Sequence, residues 1–281
     1  PCSCHRRFGH LGRPYGSTNA QMQEVVGASM SADLSNRLQR LLPNGRGVWI
    51  PMDHGISSYP EDGLDRMDSV IDSVIAGGAD AIVCQKGVVS HQSARTGWDG
   101  FVCHVSVSTV HGGENAQKKI KVCSASEALS RGANGISGQI NLGDLNEPEM
   151  IIDMGELTSE AHALGMPVLG MVYPRGPNLV QIPNDITGGV AHAARVAFEL
   201  GCHVVKVPWT GSIESFQKVV EAVPIPVLIA GGPNGSGFEK TLEIVKMAMQ
   251  AGGGGVCMGR QVFGSEDPSS CIRSLREIIH G

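Results

Sequence analysis

The stretch His203-Val204-Val205-Lys206-Val207-Pro208-Trp209 sets a lysine among valines. Alternate strand residues face the same side, so Lys206 shares a face with Val204. Burial strips water from an ammonium and lowers its pKa. A lysine left neutral near pH 7 can attack a carbonyl and form a Schiff base. The other reading is a lysine that snorkels outward to meet a carboxylate. Lys86, in Cys84-Gln85-Lys86-Gly87, is the rival nucleophile. It lies one step further into a loop, where a salt bridge is the expected role.

Three further groups bear on that chemistry. Asp53, in Met52-Asp53-His54-Gly55, can hold an amine or take up protons at a strand end; a capping or turn aspartate is its plainer reading. Tyr173 opens Tyr173-Pro174-Arg175-Gly176 and could deliver a proton to a bound intermediate, or simply pack with its hydroxyl satisfied. Ala230-Gly231-Gly232-Pro233 and Met258-Gly259-Arg260 end the last two apolar runs. Glycine lets backbone N–H groups approach an anion, and arginine offers a forked contact. Two such turns on neighbouring strands point to a phosphate-bearing substrate.

These residues need elements to carry them. Short apolar runs recur at Val48–Met52, Ala81–Cys84, Phe101–Val107, Gly135–Leu142, Val168–Tyr173, Val204–Val207, Val227–Ala230 and Gly255–Met258. Between them lie stretches with apolar residues at helical spacing, such as Met67, Val70, Ile71, Val74 and Ile75. Glycine stands just before many of the runs, at Gly78, Gly132, Gly165, Gly201 and Gly252, where it would end a helix in the left-handed region. Eight strand–helix units in one chain predict an α/β fold, a single (β/α)8 TIM barrel over residues 31–281. Its active site then lies at the carboxyl ends of the strands, where Lys206, Tyr173 and Asp53 fall. Residues 1–30 show no period and read as a poorly ordered extension.

Composition narrows the class. Glycine supplies 38 of 281 residues, about twice the usual share of about 7% and without a collagen period. A net charge of −5 and 41% hydrophobic residues exclude a disordered chain and argue against nucleic acid as partner. No run approaches the roughly 20 apolar residues that span a bilayer. The basic cluster Lys118, Lys119 and Lys121 reads as a solvated loop. Of the eight cysteines, Cys84, Cys103, Cys202 and Cys257 lie in or beside apolar runs, as free thiols do. Without a CxxC pair or a signal segment, a reducing, cytoplasmic location is expected. Cys2-Ser3-Cys4-His5 could ligate a metal but has no second half at zinc-site spacing. No His/Asp/Glu set shows ligand spacing either, so neither metal nor cofactor is expected.

Taken together, Met52-Asp53-His54-Gly55, Met171-Val172-Tyr173-Pro174-Arg175-Gly176, Val205-Lys206, Ala230-Gly231-Gly232-Pro233 and Met258-Gly259-Arg260 resemble the archaeal-type class I fructose-bisphosphate aldolase family. They look most like its 2-amino-3,7-dideoxy-D-threo-hept-6-ulosonate synthase branch. The resemblance covers about residues 34–281. It implies Lys206 as the Schiff-base lysine, Tyr173 as the proton-transferring tyrosine and Asp53 as the acid/base aspartate. It further implies substrate and phosphate contacts from His54, Arg175, Gly231, Gly232, Gly259 and Arg260. The branch moves a three-carbon ketone unit from a ketose phosphate onto aspartate semialdehyde. A related branch uses dihydroxyacetone phosphate with the same acceptor, and the plain aldolases cleave fructose 1,6-bisphosphate. The family tends to form large ring assemblies, so a homo-oligomer is implied, a decamer among the options. One departure stands out: relatives often carry lysine after Gly-Gly-Pro, where this chain has Asn234. The alternative from a different class is a phosphate-binding barrel without Schiff-base chemistry, either a flavin enzyme or a sugar-phosphate sensor.

Overall fold

The computed structural model describes residues 32–179, 185–231 and 237–281. The expected extension over residues 1–30, Cys2–His5 within it, Gly232 and Asn234 lie outside the described residues.

Eight parallel strands close a barrel in the order β1-β10-β9-β8-β7-β6-β3-β2. They are β1 (Gly47–Pro51), β2 (Ala81–Gln85), β3 (Phe101–His104), β6 (Gly135–Leu142), β7 (Val168–Pro174), β8 (Val204–Val207), β9 (Val227–Ala230) and β10 (Gly255–Cys257). Helix α1 (Ala32–Leu41) precedes the first strand. Helices α2 (Met67–Gly77), α3 (Lys86–Thr96), α4 (Ala125–Ser130), α5 (Glu147–Ala163), α6 (Ile186–Glu199), α7 (Ile213–Glu221) and α8 (Phe238–Gln250) link successive strands, and α9 (Arg260–Phe263) and α10 (Pro268–His280) follow the last. The five glycines expected to stop helices do so, with φ between 57° and 93°. One expected strand divides. Phe101–Val107 ends its barrel pairing at His104, and β4 (Ser106–Val107) turns away to pair antiparallel with β5 (Ile120–Lys121). The β3–α4 connection is therefore a small structured flap rather than a plain turn.

Strand alternation divides the core in two. Trp49, Ala81, Val83, Val102, Leu169, Met171, Val204, Leu228 and Cys257 fill the barrel, and Leu38, Leu41 and Leu42 plug its amino-terminal end. The Trp49 indole N–H donates to the Leu41 carbonyl at 2.8 Å. Deleting that ring would cost about 3–5 kcal/mol. The second layer lies between strands and helices and includes Ile50, Ile82, Ile136, Val205 and Ile229. The buried Asp80 carboxylate accepts from the Val48 N–H at 2.8 Å and pairs with Arg276 at 3.2 Å and His280 at 2.7 Å. It thereby fastens α10 against the start of the first strand.

Candidate active site

Apolar side chains fill the lower barrel, and polar ones replace them toward the carboxyl ends. On β8, Val204 belongs to the inner core, so Lys206 two residues later also points inward. Its neighbours across the ladder are Met171 of β7 and Leu228 of β9, both inner residues. Lys206 is 8% exposed, which excludes the snorkelling alternative. Tyr173 continues the inner line Leu169, Met171 and interacts electrostatically with the lysine. Asp53 follows β1 in line with the inner Trp49 and has 17% of its side chain exposed.

The lysine's protonation differs from the expectation based on its strand alone. Burial does push the ammonium down, but Cys257, Tyr173 and Asp53 act against it and hold Lys206 above the ordinary lysine range. Those partners come from β10, β7 and the β1 loop, which no local pattern around Lys206 reveals. Burial raises the Cys257 thiol to about 11 and raises the Tyr173 phenol, so both are neutral at pH 7. Asp53 is the partner that is charged there. Burial opposes its carboxylate, but His104, His54, Lys206 and a backbone hydrogen bond lower its pKa overall.

Two imidazoles flank that carboxylate. His104 Nε2 lies 3.8 Å from Asp53 Oδ2, and His54 Nδ1 lies 3.8 Å from Oδ1. Burial lowers His104 to about 4, and its Nδ1 meets Ser137 Oγ at 2.8 Å. Burial and the charges of Lys206 and Arg260 lower His54 against the pull of Asp53. The His54 ring meets Phe263 edge-on at 5.4 Å. His54 Nδ1 and Gln85 Nε2 are buried without hydrogen-bond partners. Such atoms usually find a partner, and at a barrel mouth a polyhydroxylated ligand would provide one.

Arg175 donates from Nε to Asn141 Oδ1 at 2.9 Å and stacks over the Tyr173 ring at 4.7 Å. On the opposite side of the ring of strands, Gly231 follows β9 and Gly259 follows β10. A Cβ on Gly231 would stand 2.7 Å from Met258 Cβ, and one on Gly259 would stand 2.1 Å from the Pro51 carbonyl oxygen. Both glycines are thus required by close packing of strand ends, apart from any ligand. Arg260 is exposed at the start of α9.

Lys86 is outside this group. Its Nζ donates to the Val122 carbonyl at 2.8 Å and pairs with Glu127 at 3.2 Å, so the salt-bridge reading holds. The basic cluster is not a uniform solvated loop. Lys121 pairs with Glu156 at 2.6 Å, while Lys119 is half-buried where its charge meets those of Arg175 and Asp53. Sequence reasoning also passed over His104, Gln85 and Asn141. Each stands an even number of residues from an inner core residue or from another inward polar group, and that alternation was the available signal.

A closed parallel barrel that buries a lysine against a phenol and a carboxylate at its carboxyl-terminal end is built for carbonyl chemistry through an amine. The comparisons agree: the chain belongs to the DeoC/LacD family aldolases, whose model matches residues 48–265. It is similar to the 2-amino-3,7-dideoxy-D-threo-hept-6-ulosonate synthase of Halobacterium salinarum, at 36% identity over 87% of this chain and 90% of that protein. It is also similar to the 2-amino-4,5-dihydroxy-6-oxo-7-(phosphonooxy)heptanoate synthase of Streptomyces griseus, at 35% identity over 88% and 90%. Among solved structures, an archaeal fructose-1,6-bisphosphate aldolase, its catalytic lysine bound to the carbinolamine intermediate, superposes with a TM-score of 0.77. That match has 27% identity and covers 88% of this chain and 100% of the other. The chain is a class I, Schiff-base aldolase.

Proposed function

We propose that the enzyme joins a three-carbon unit from a ketose phosphate to aspartate semialdehyde, with Lys206 as the Schiff-base residue. The observation that carries this reading is the burial of Lys206 inside the barrel beside Tyr173 and Asp53. The Lys206 amine, once its ammonium proton has passed to solvent, attacks the donor carbonyl to give a carbinolamine. Loss of water forms the iminium; loss of the C4 hydroxyl proton then breaks the donor's C3–C4 bond, releases the distal fragment as an aldehyde and leaves an enamine on the lysine. Tyr173 and Asp53 move the protons that these steps release and consume. The enamine carbon then attacks the acceptor aldehyde, and water frees the product from Lys206.

The donor phosphate is placed on Gly231, Gly232, Gly259 and Arg260, and His54 and Arg175 meet other polar groups of the substrate. The two synthase relatives, both covered over 90% of their length, support aspartate semialdehyde as acceptor. Residues 31–281 form the catalytic unit in this reading, with 1–30 as an extension. A cytoplasmic homo-oligomer, a decamer among the options, completes it; the free, buried thiols at all six described cysteines suit a reducing location. No described helix is long and apolar enough to cross a membrane.

The test is product analysis. The enzyme is incubated with aspartate semialdehyde and either dihydroxyacetone phosphate or a ketohexose phosphate, and product masses are read. A seven-carbon amino-keto acid is expected. Cleavage of fructose 1,6-bisphosphate with no turnover of aspartate semialdehyde would replace this reading with the plain aldolase.

A further inference from the structure

Two cations at the barrel mouth share one scaffold residue. Asn141, near the end of β6, accepts from Arg175 Nε through Oδ1 at 2.9 Å and donates through Nδ2 to the Gln117 carbonyl at 2.7 Å. Gln117 closes the short helical segment Val110–Gln117 of the β3–α4 flap. The Ser108 hydroxyl donates to the Ala116 carbonyl at 2.7 Å and accepts from Lys119 Nζ at 2.7 Å. The same amide therefore holds the guanidinium on one side and the lysine-bearing flap on the other.

Neither charge has a close ion-pair partner. Among the described residues, neither Lys119 nor Arg175 has a carboxylate within 4.0 Å, whereas Lys86 has Glu127 and Lys121 has both Glu156 and Glu160. Burial and the Arg175 charge disfavour the charge on Lys119 and outweigh the opposing pull of Asp53. Half-buried like charges are costly to keep together unless an anion joins them.

Position indicates which anion. In the ring of strands, β8 with Lys206 lies between β9 and β10 on one side and β7 and β6 on the other. The donor phosphate, in the proposed function, occupies the β9–β10 side. The Lys119–Arg175 pair lies on the β6–β7 side, next to Tyr173, where the incoming aldehyde must extend. We propose that Lys119 and Arg175 form the subsite that holds the anionic tail of the acceptor aldehyde, and that Lys119 is thereby a specificity-determining residue. The inference rests on the aldolase reading of Lys206. Arginine offers a planar fork and lysine a point charge, a pair suited to a carboxylate or a phosphate tail.

The test compares wild type, Lys119→Met and Lys119→Arg with three acceptors: aspartate semialdehyde, glyceraldehyde 3-phosphate and uncharged glyceraldehyde. The donor is whichever of dihydroxyacetone phosphate and fructose 1,6-bisphosphate supports wild-type turnover. In Lys119→Met the ratio of kcat/KM for the anionic acceptor to that for glyceraldehyde should fall roughly 10- to 100-fold, the range of a lost charged hydrogen bond. Lys119→Arg should recover most of that loss. The anionic acceptor with the larger loss identifies the tail. An equal fall for all three acceptors, or an unchanged ratio, would overturn the subsite. Absence of a borohydride-fixed donor adduct on wild-type Lys206 would instead overturn the underlying aldolase reading, and the subsite with it.

Discussion

Replacing Asp53 with Asn removes a charge from the site while keeping its volume. His104 and His54 stand 3.8 Å from that carboxylate, but burial lowers both imidazoles, His104 to about 4. Both are neutral at pH 7, so neither balances the anion there. Of the groups that lower the Asp53 pKa, Lys206 is the one that carries a charge at pH 7. An opposite charge in the same buried pocket moves a pKa by roughly 1–3 units, about 1.4–4 kcal/mol. In Asp53→Asn the Lys206 ammonium should therefore titrate lower by about that much. The assay is the pH dependence of reductive trapping of a ketose phosphate. In the wild type the trapping rate should keep climbing into the alkaline range, because the ammonium is held above ordinary lysine. In the variant it should level off roughly 1–3 pH units earlier. Turnover should fall at the same time, by roughly 10²–10⁴-fold, because asparagine cannot relay protons. A shared midpoint would refute the coupling of Asp53 to Lys206, and unchanged turnover would refute the acid/base role.

Two other predictions follow from the geometry. Gly259→Ala places a Cβ 2.1 Å from the Pro51 carbonyl oxygen; backbone must shift, so a loss of about 1–3 kcal/mol in denaturant unfolding is expected, and an unchanged midpoint would contradict the packing. His203 accepts from the Val168 N–H through Nδ1 at 3.1 Å, and burial lowers its pKa to about 4. Its folded-state pKa lies below the unfolded value, so its contribution is fully present above about pH 6.5 and is lost as pH falls toward 4, by no more than about 3 kcal/mol. His203→Gln should lose stability less steeply across that window, and an equal slope would remove His203 from the acid response.

Much of this was readable in one dimension. The eight apolar runs carry the barrel, because a strand buried on both faces reads as a continuous hydrophobic segment. Alternation from Val204 was enough to aim Lys206 inward. Its charge state was not readable, because the groups that set it come from three other strand ends. Lys119 was missed for a related reason. A run of lysines looks solvated until Asn141 ties the flap over the barrel mouth, a contact 24 residues away in sequence. The glycines after strands were read as ligand contacts, whereas Gly231 and Gly259 already have steric reasons to be glycine. His104 was available from its alternation with the inner residue Val102.

The central claim is that Lys206 carries the covalent intermediate, and peptide mapping after borohydride reduction in the presence of ketose phosphate tests it most directly. A mass increase confined to the peptide holding Lys206, and absent in Lys206→Met, is expected. An adduct on Lys86 or Lys119, or full activity in Lys206→Met, would contradict it.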